Sequence, residues 1–263
     1  MLTKWNMTFF LFFGMLSASM ALGGAFRALQ QEKPYRAAAF AGAAAAVISA
    51  AVFCFTIGSP MKIMNILGHP ASGLSSAIIA DILLIPAGLL LLKKRENGTI
   101  SGIATAVFTT VCIYCFSRVY MIVTRPALDT PAVFLMFLFL CMYIALFLLN
   151  DWRKESFIFR FYVTAVSAYC ITAVFFLYRV GSASVHDRVL QLPKLLSGDL
   201  ACLFWSSVVV TLIAPAAALA VSFIKVKYRL FVFVCGTAGL FLLSMLVNQM
   251  PVVSRGVEGR FFY

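Results

Sequence analysis

Asp81 is the one acid well inside an apolar stretch of this chain, four residues past Ala77 in Leu74-Ser75-Ser76-Ala77-Ile78-Ile79-Ala80-Asp81. An unpaired carboxylate in hydrocarbon is costly, so an acid so placed is expected on a proton route, beside a ligand, or paired with a cation. Arg118, in Ser117-Arg118-Val119-Tyr120, is the cation placed either to pair with it or to snorkel to the membrane surface. His69 and Lys62 lie in a loop between two apolar stretches. Lys62 is positioned to reach an anionic or carbonyl oxygen at the interface, and His69 is the nearest imidazole able to exchange a proton. Tyr120 and Tyr263 suit the aromatic belt at the edge of a bilayer.

The same inventory argues against a resident metal. The seven cysteines, Cys54, Cys112, Cys115, Cys141, Cys170, Cys202 and Cys235, all fall inside apolar stretches, where a thiol packs as a small hydrophobe. Cys112 and Cys115 form a C-x-x-C pair on one helical face, but no second pair completes a four-thiolate cluster. His69 and His186 both lie outside the apolar stretches, so no haem can be clamped between two intramembrane histidines. No haem or metal of the chain's own is expected.

The elements that carry these residues follow from composition. Of 263 residues, 63% are hydrophobic and 11% charged, more apolar surface than a soluble domain can cover. Eight stretches approach the roughly 20 residues that a helix needs to cross a bilayer: Trp5–Phe26, Ala37–Ile57, Leu74–Leu92, Ile103–Val123, Ala132–Leu149, Phe161–Tyr178, Leu200–Ile224 and Leu230–Val247. They are continuously apolar rather than alternating, which favours helices over a barrel. The first is too long for the apolar region of a secretory signal and is read as a membrane helix. The fold class expected is an all-α integral membrane bundle of eight transmembrane helices, a single domain over 1–263.

Basic residues set its orientation. The loops after the first, third, fifth and seventh stretches each hold three: Arg27, Lys33, Arg36; Lys93, Lys94, Arg95; Arg153, Lys154, Arg160; and Lys225, Lys227, Arg229. The opposite side is thinned by Asp129, Asp187, Asp199 and Glu258. The positive-inside rule places the first set in the cytoplasm and both termini outside. The formal charge of +12 is thus topology and lipid contact rather than a nucleic-acid footprint. The outer loops, Gly58 to Gly73, Thr124 to Pro131, Val180 to Asp199 and the tail after Asn248, are richer in turn formers and form the expected functional face.

Three segments, in order, carry a family resemblance. Gly58-Ser59-Pro60-Met61-Lys62 with Ser72-Gly73-Leu74-Ser75 resembles the connection between helices two and three of the dimethyl sulfoxide reductase membrane anchor subunit. Ser117-Arg118-Val119-Tyr120, then Arg125-Pro126 and Asp129-Thr130-Pro131, resembles that family's Arg-Val-Tyr segment and following loop. Gly259-Arg260-Phe261-Phe262-Tyr263 resembles its element after helix eight. The resemblance implies an anchor, in a bacterial cytoplasmic membrane, for a molybdopterin catalytic subunit and a four-cluster iron–sulfur subunit. It further implies oxidation of a quinol, usually menaquinol, with electrons passed to the nearest cluster. Lys62, His69, Asp81, Arg118, Tyr120 and Thr56 would line the quinol headgroup, and Ser59, Pro60, Met61 and Arg260 would dock the iron–sulfur partner.

Two positions depart from that pattern. Thr56 stands where the family has a histidine, and Ala77 where it has a glutamate. A quinol site needs a hydrogen-bond partner for each ring oxygen and an acceptor for protons, so His69 and Asp81 are the expected replacements. Two other readings fit the composition. One is a transporter, although the halves show no convincing repeat, and Pro86 and Pro215 are isolated. The other is a structural anchor that binds no quinol.

Overall fold

The computed structural model describes residues 2–30, 36–57, 68–69, 72–90, 98–121, 128, 130–149, 157–181, 195–213, 216, 226–250, 254–255 and 261–262. Its elements are α1 (Leu2–Leu29), α2 (Arg36–Ile57), α3 (Gly73–Leu90), α4 (Gly98–Arg118), α5 (Pro131–Ala145, continued by a 3-10 turn at Leu146–Leu148), α6 (Phe157–Gly181), α7 (Ala201–Val208, continued by a π turn at Val209–Ile213) and α8 (Val226–Gln249). A two-residue antiparallel ladder follows, β1 (Ser254–Arg255) with β2 (Phe261–Phe262), a small addition to the all-helical expectation. Among the described residues six helices are long and apolar enough to cross a membrane: α1, α2, α4, α5 with its 3-10 turn, α6 and α8. α3 and α7 carry shorter apolar helical stretches, Gly73–Ala87 and Ala201–Ile213.

Helix is the state these residues must take in hydrocarbon, because each backbone N–H and C=O then finds its partner within the segment. The hydroxyls obey the same demand. Ser19, Thr56, Thr105, Thr110, Ser117, Thr164 and Ser244 each donate to the carbonyl four residues back, at 2.7–2.9 Å. A serine or threonine that bonds its own helix needs nothing from its neighbours.

α1 is the central post, packed against α2, α3, α4, α5 and α8. Its apolar window is 67% buried, against 28% for α2, α4 and α6, whose large exposed side chains such as Phe55, Val107 and Ile171 form the lipid-facing surface. Small residues permit the close approach, as membrane helices without a hydrophobic driving force between them require. α8 runs antiparallel to α1: Asn248 near the end of α8 donates to Thr8 Oγ1 near the start of α1 (2.9 Å), tying these two helices rather than simply capping α8. Arg27, at the other end of α1, donates to the Leu148 carbonyl (3.0 Å) and so covers the frayed 3-10 end of α5.

Helix ends differ from the sequence expectation where caps decide them. α4 stops at Arg118, five residues short of Val123, because Val119 N–H and Tyr120 N–H turn back to the carbonyls of Phe116 and Ser117. Ser72 caps α3 by accepting from Ser75 N–H (3.1 Å), and Thr130 caps α5 by accepting from Ala132 N–H (3.4 Å) with Pro131 in the first turn. Both threads of the Ser-Gly-Leu-Ser and Thr-Pro motifs therefore have a structural role. The expected span Leu200–Ile224 is helical over Ala201–Val208 and π-turned to Ile213; most of the remainder, Pro215 included, lies outside the described residues.

Candidate functional site

The α1–α4 quarter of the bundle buries several polar groups. Asp81 lies eight residues into α3, about 12 Å along the axis at 1.5 Å per residue, and is 1% exposed. Neither carboxyl oxygen has a hydrogen-bond partner among the described residues. Ser49 of α2 stands beside it, and its hydroxyl also reaches the Phe10 carbonyl of α1 at 3.0 Å. From α4, Cys112 approaches with its thiol directed at the Ala80 carbonyl, 3.8 Å away.

Two further hydroxyls break the rule that intramembrane Ser and Thr bond their own helix. Thr109 and Ser75 are both fully buried, and neither Oγ has a partner among the described residues. Thr109 stands one turn from Cys112 on the inward stripe Gly102, Thr109, Cys112, Phe116 of α4. Ser75 is in the first turn of α3, between Asp81 and the capping Ser72. The contact of α3 with α4 is close because Gly73 has no side chain: a Cβ there would lie 2.9 Å from the Arg118 carbonyl oxygen.

The residues expected at a headgroup site do not all converge. Tyr120 is 2% exposed and packs in the core, so it is no belt residue as the sequence suggested. Arg118 ends α4 and is exposed; no hydrogen bond joins it to Asp81, whose carboxyl lies two turns deeper along α3 than the Gly73–Arg118 contact. The pairing of Arg118 with Asp81 is therefore corrected: helix four ends too early for the guanidinium to be carried inward. His69 is exposed, and its carbonyl accepts from Ser72 N–H (2.9 Å) above the first turn of α3. Thr56 is half-buried and gives its proton to the Val52 carbonyl (2.7 Å). Lys62, Ser59, Pro60, Met61, Arg260 and Tyr263 lie outside the described residues.

Ser49, Thr109 and Ser75 are the polar residues that sequence reading passed over. A buried stripe at helical spacing marks Thr109, but nothing in the sequence separates a hydroxyl bonded to its own helix from one left over. A second polar group sits in the other half of the bundle, where Tyr169 of α6 is flanked by Ser207 of α7 and by Thr211 in the π turn. A small cavity of about 10 Å³ between α5, α6 and α8 is lined by apolar side chains such as Met136, Phe176 and Leu243, and is a packing gap rather than a ligand site. No group of three or more metal-ligating side chains occurs among the described residues. Neither a protein-family model nor a curated protein matches the chain.

Proposed function

We propose that this protein is the membrane anchor of a molybdopterin oxidoreductase in a bacterial cytoplasmic membrane, that it oxidises a quinol such as menaquinol, and that it hands the electrons to an iron–sulfur partner. In this reading α3 and α7 complete an eight-helix bundle with both termini outside. The observation that carries the reading is Asp81: a buried carboxyl beside Ser49 and Cys112 where α2, α3 and α4 meet. The ordered resemblance of the Gly-Ser-Pro-Met, Arg-Val-Tyr and Gly-Arg segments supplies the reaction class.

The chemistry divides simply. A quinol must lose two protons as its electrons leave, and the chain's share is to orient the ring and hold those protons. Asp81 accepts a proton in place of the carboxylate missing at Ala77. His69, Lys62 and Arg118 would receive protons on their way out and face the docked partner together with Ser59, Pro60, Met61 and Arg260. Thr56, already bonded to its own helix, keeps only acceptor capacity for a ring hydroxyl.

Expression with its chromosomal neighbours tests the reading. The expected result is stoichiometric co-isolation with an iron–sulfur protein whose clusters are reduced on adding a menaquinol analogue, followed by electron paramagnetic resonance. Isolation as a single polypeptide that carries solute across vesicles would overturn it. That transporter reading is favoured by one feature, the interruption of α3 by Pro86 and of α7 by the π turn. Co-isolation without cluster reduction would leave a structural anchor.

A further inference from the structure

We propose that Cys112 and Cys115 form a redox-active dithiol at the seam between α3 and α4, and that a lipid-soluble quinone oxidises the pair to a disulfide. The inference rests on the proposed function for the identity of its oxidant, and needs neither the iron–sulfur partner nor the proton chemistry of Asp81.

Both sulfurs face one neighbouring helix. On α4 the two cysteines are three residues apart, so their side chains leave the same face. Three contacts with α3 follow in antiparallel register: Gly73 against Arg118, Ser76 beside Cys115, and the Cys112 thiol toward the Ala80 carbonyl at 3.8 Å. Both sulfurs are free thiols, and they differ in access. Cys112 is 2% exposed, whereas Cys115 is half-buried on the same stripe of α4 as the exposed Val111 and Arg118. An accessible thiol with a second thiol behind it is the arrangement in which the first reacts and the second resolves the product.

The helix makes the bond closable and reversible. Cβ atoms three residues apart on a helix are roughly 5–6 Å from each other, against roughly 3.5–4.5 Å across a disulfide, so the turn must tighten to close it. A disulfide held under such strain is readily reduced again, which separates a working couple from a structural crosslink.

The setting selects the oxidant. α4 presents Val107, Val111 and Tyr114 to the lipid around the pair, so the reagent that reaches Cys115 from that side is lipid-soluble and accepts two electrons. Arg118, one turn further on, lies within electrostatic reach of the Cys115 sulfur and would offer a donor to a quinone oxygen. The reaction balances without a further reagent. Two S–H bonds break, one S–S bond forms between Cys112 and Cys115, two electrons pass to the quinone ring, and the two thiol protons end on its oxygens as the hydroquinone.

The test uses the intact chain, reduced and purified in detergent without oxygen, and mixed with a short-tailed menaquinone analogue. Quinone reduction is followed by absorbance. The tryptic peptide 96–118, whose cysteines are Cys112 and Cys115, is weighed after thiol alkylation. The expected result is quinone reduction with a peptide two hydrogens lighter and closed to the alkylating reagent, and loss of that reduction in both Cys112→Ala and Cys115→Ala. Should a variant fail to fold, the wild-type peptide decides by itself. A wild-type peptide alkylated at both sulfurs, or carrying the quinone as a covalent adduct, overturns the couple even where the assembled complex oxidises quinol. A chain that forms the disulfide with quinone but co-isolates with no iron–sulfur protein keeps the couple and loses the anchor reading.

Discussion

At the residue scale the molecule's tension is held by Asp81. A carboxyl that is 1% exposed, with no cationic partner among the described residues, is a stability cost that packing alone would remove. Replacing it with a similar-sized apolar side chain should therefore help the fold: Asp81→Leu is expected to raise thermal stability by about 1–3 kcal/mol in detergent, read as an upward shift in melting temperature. A lowered melting temperature would mean that the carboxyl is paired in the folded protein. This residue was legible in the sequence because it is the one acid among apolar neighbours. Its surroundings were not. Ser49, Thr109 and Ser75 look like the other membrane hydroxyls until the geometry shows which protons are already spent. Tyr120 was misplaced for the opposite reason, since a turn of one or two residues at a helix end decides whether a side chain is buried or at the rim, where Arg118 took the outer of its two expected places.

At the element scale the contact between α3 and α4 positions the site, and Gly73 controls it. A Cβ at this position would press on the backbone of Arg118, which cannot rotate aside. Gly73→Ala should cost about 1–3 kcal/mol through overpacking and lower the melting temperature. It should also lower quinol turnover by prising apart the helices that carry Asp81 and Cys112; a variant as stable and active as wild type would show that the helices do not meet so closely. The capping role of Ser72 explains why a serine precedes this glycine. Helix existence was readable from continuous hydrophobicity, and helix ends were readable only where a cap residue announced them, as at Thr130-Pro131. The π turn at Val209–Ile213 had no such signal in its apolar residues; in the bundle its Thr211 lies against Gly239 of α8.

At the scale of the whole molecule, six helices long enough to span, with α1 at the centre and lipid-facing side chains on α2, α4 and α6, describe a multi-pass membrane protein. Its proposed orientation follows from the loop charges and has a direct check. With the native cysteines replaced, His69→Cys should react with a membrane-impermeant thiol reagent in intact cells and Lys94→Cys only after lysis; the reverse pattern would invert the bundle and put Asp81's serine-lined end on the cytoplasmic side. The helical, membrane-embedded character was open to composition alone, since so few charges cannot cover a soluble domain of this size. Relative helix placement was not, because in lipid it depends on small residues and buried hydroxyls whose pairing only the packed bundle reveals. The proposed function joins these scales, since in it one buried carboxyl of this bundle handles the protons of a lipid-soluble reductant. The most direct test is the steady-state oxidation of a menaquinol analogue by the assembled complex carrying Asp81→Asn. With the iron–sulfur partner still bound, turnover should fall by about 10²-fold or more, the usual share of a positioned proton acceptor; wild-type turnover in that same assembled complex would contradict the account.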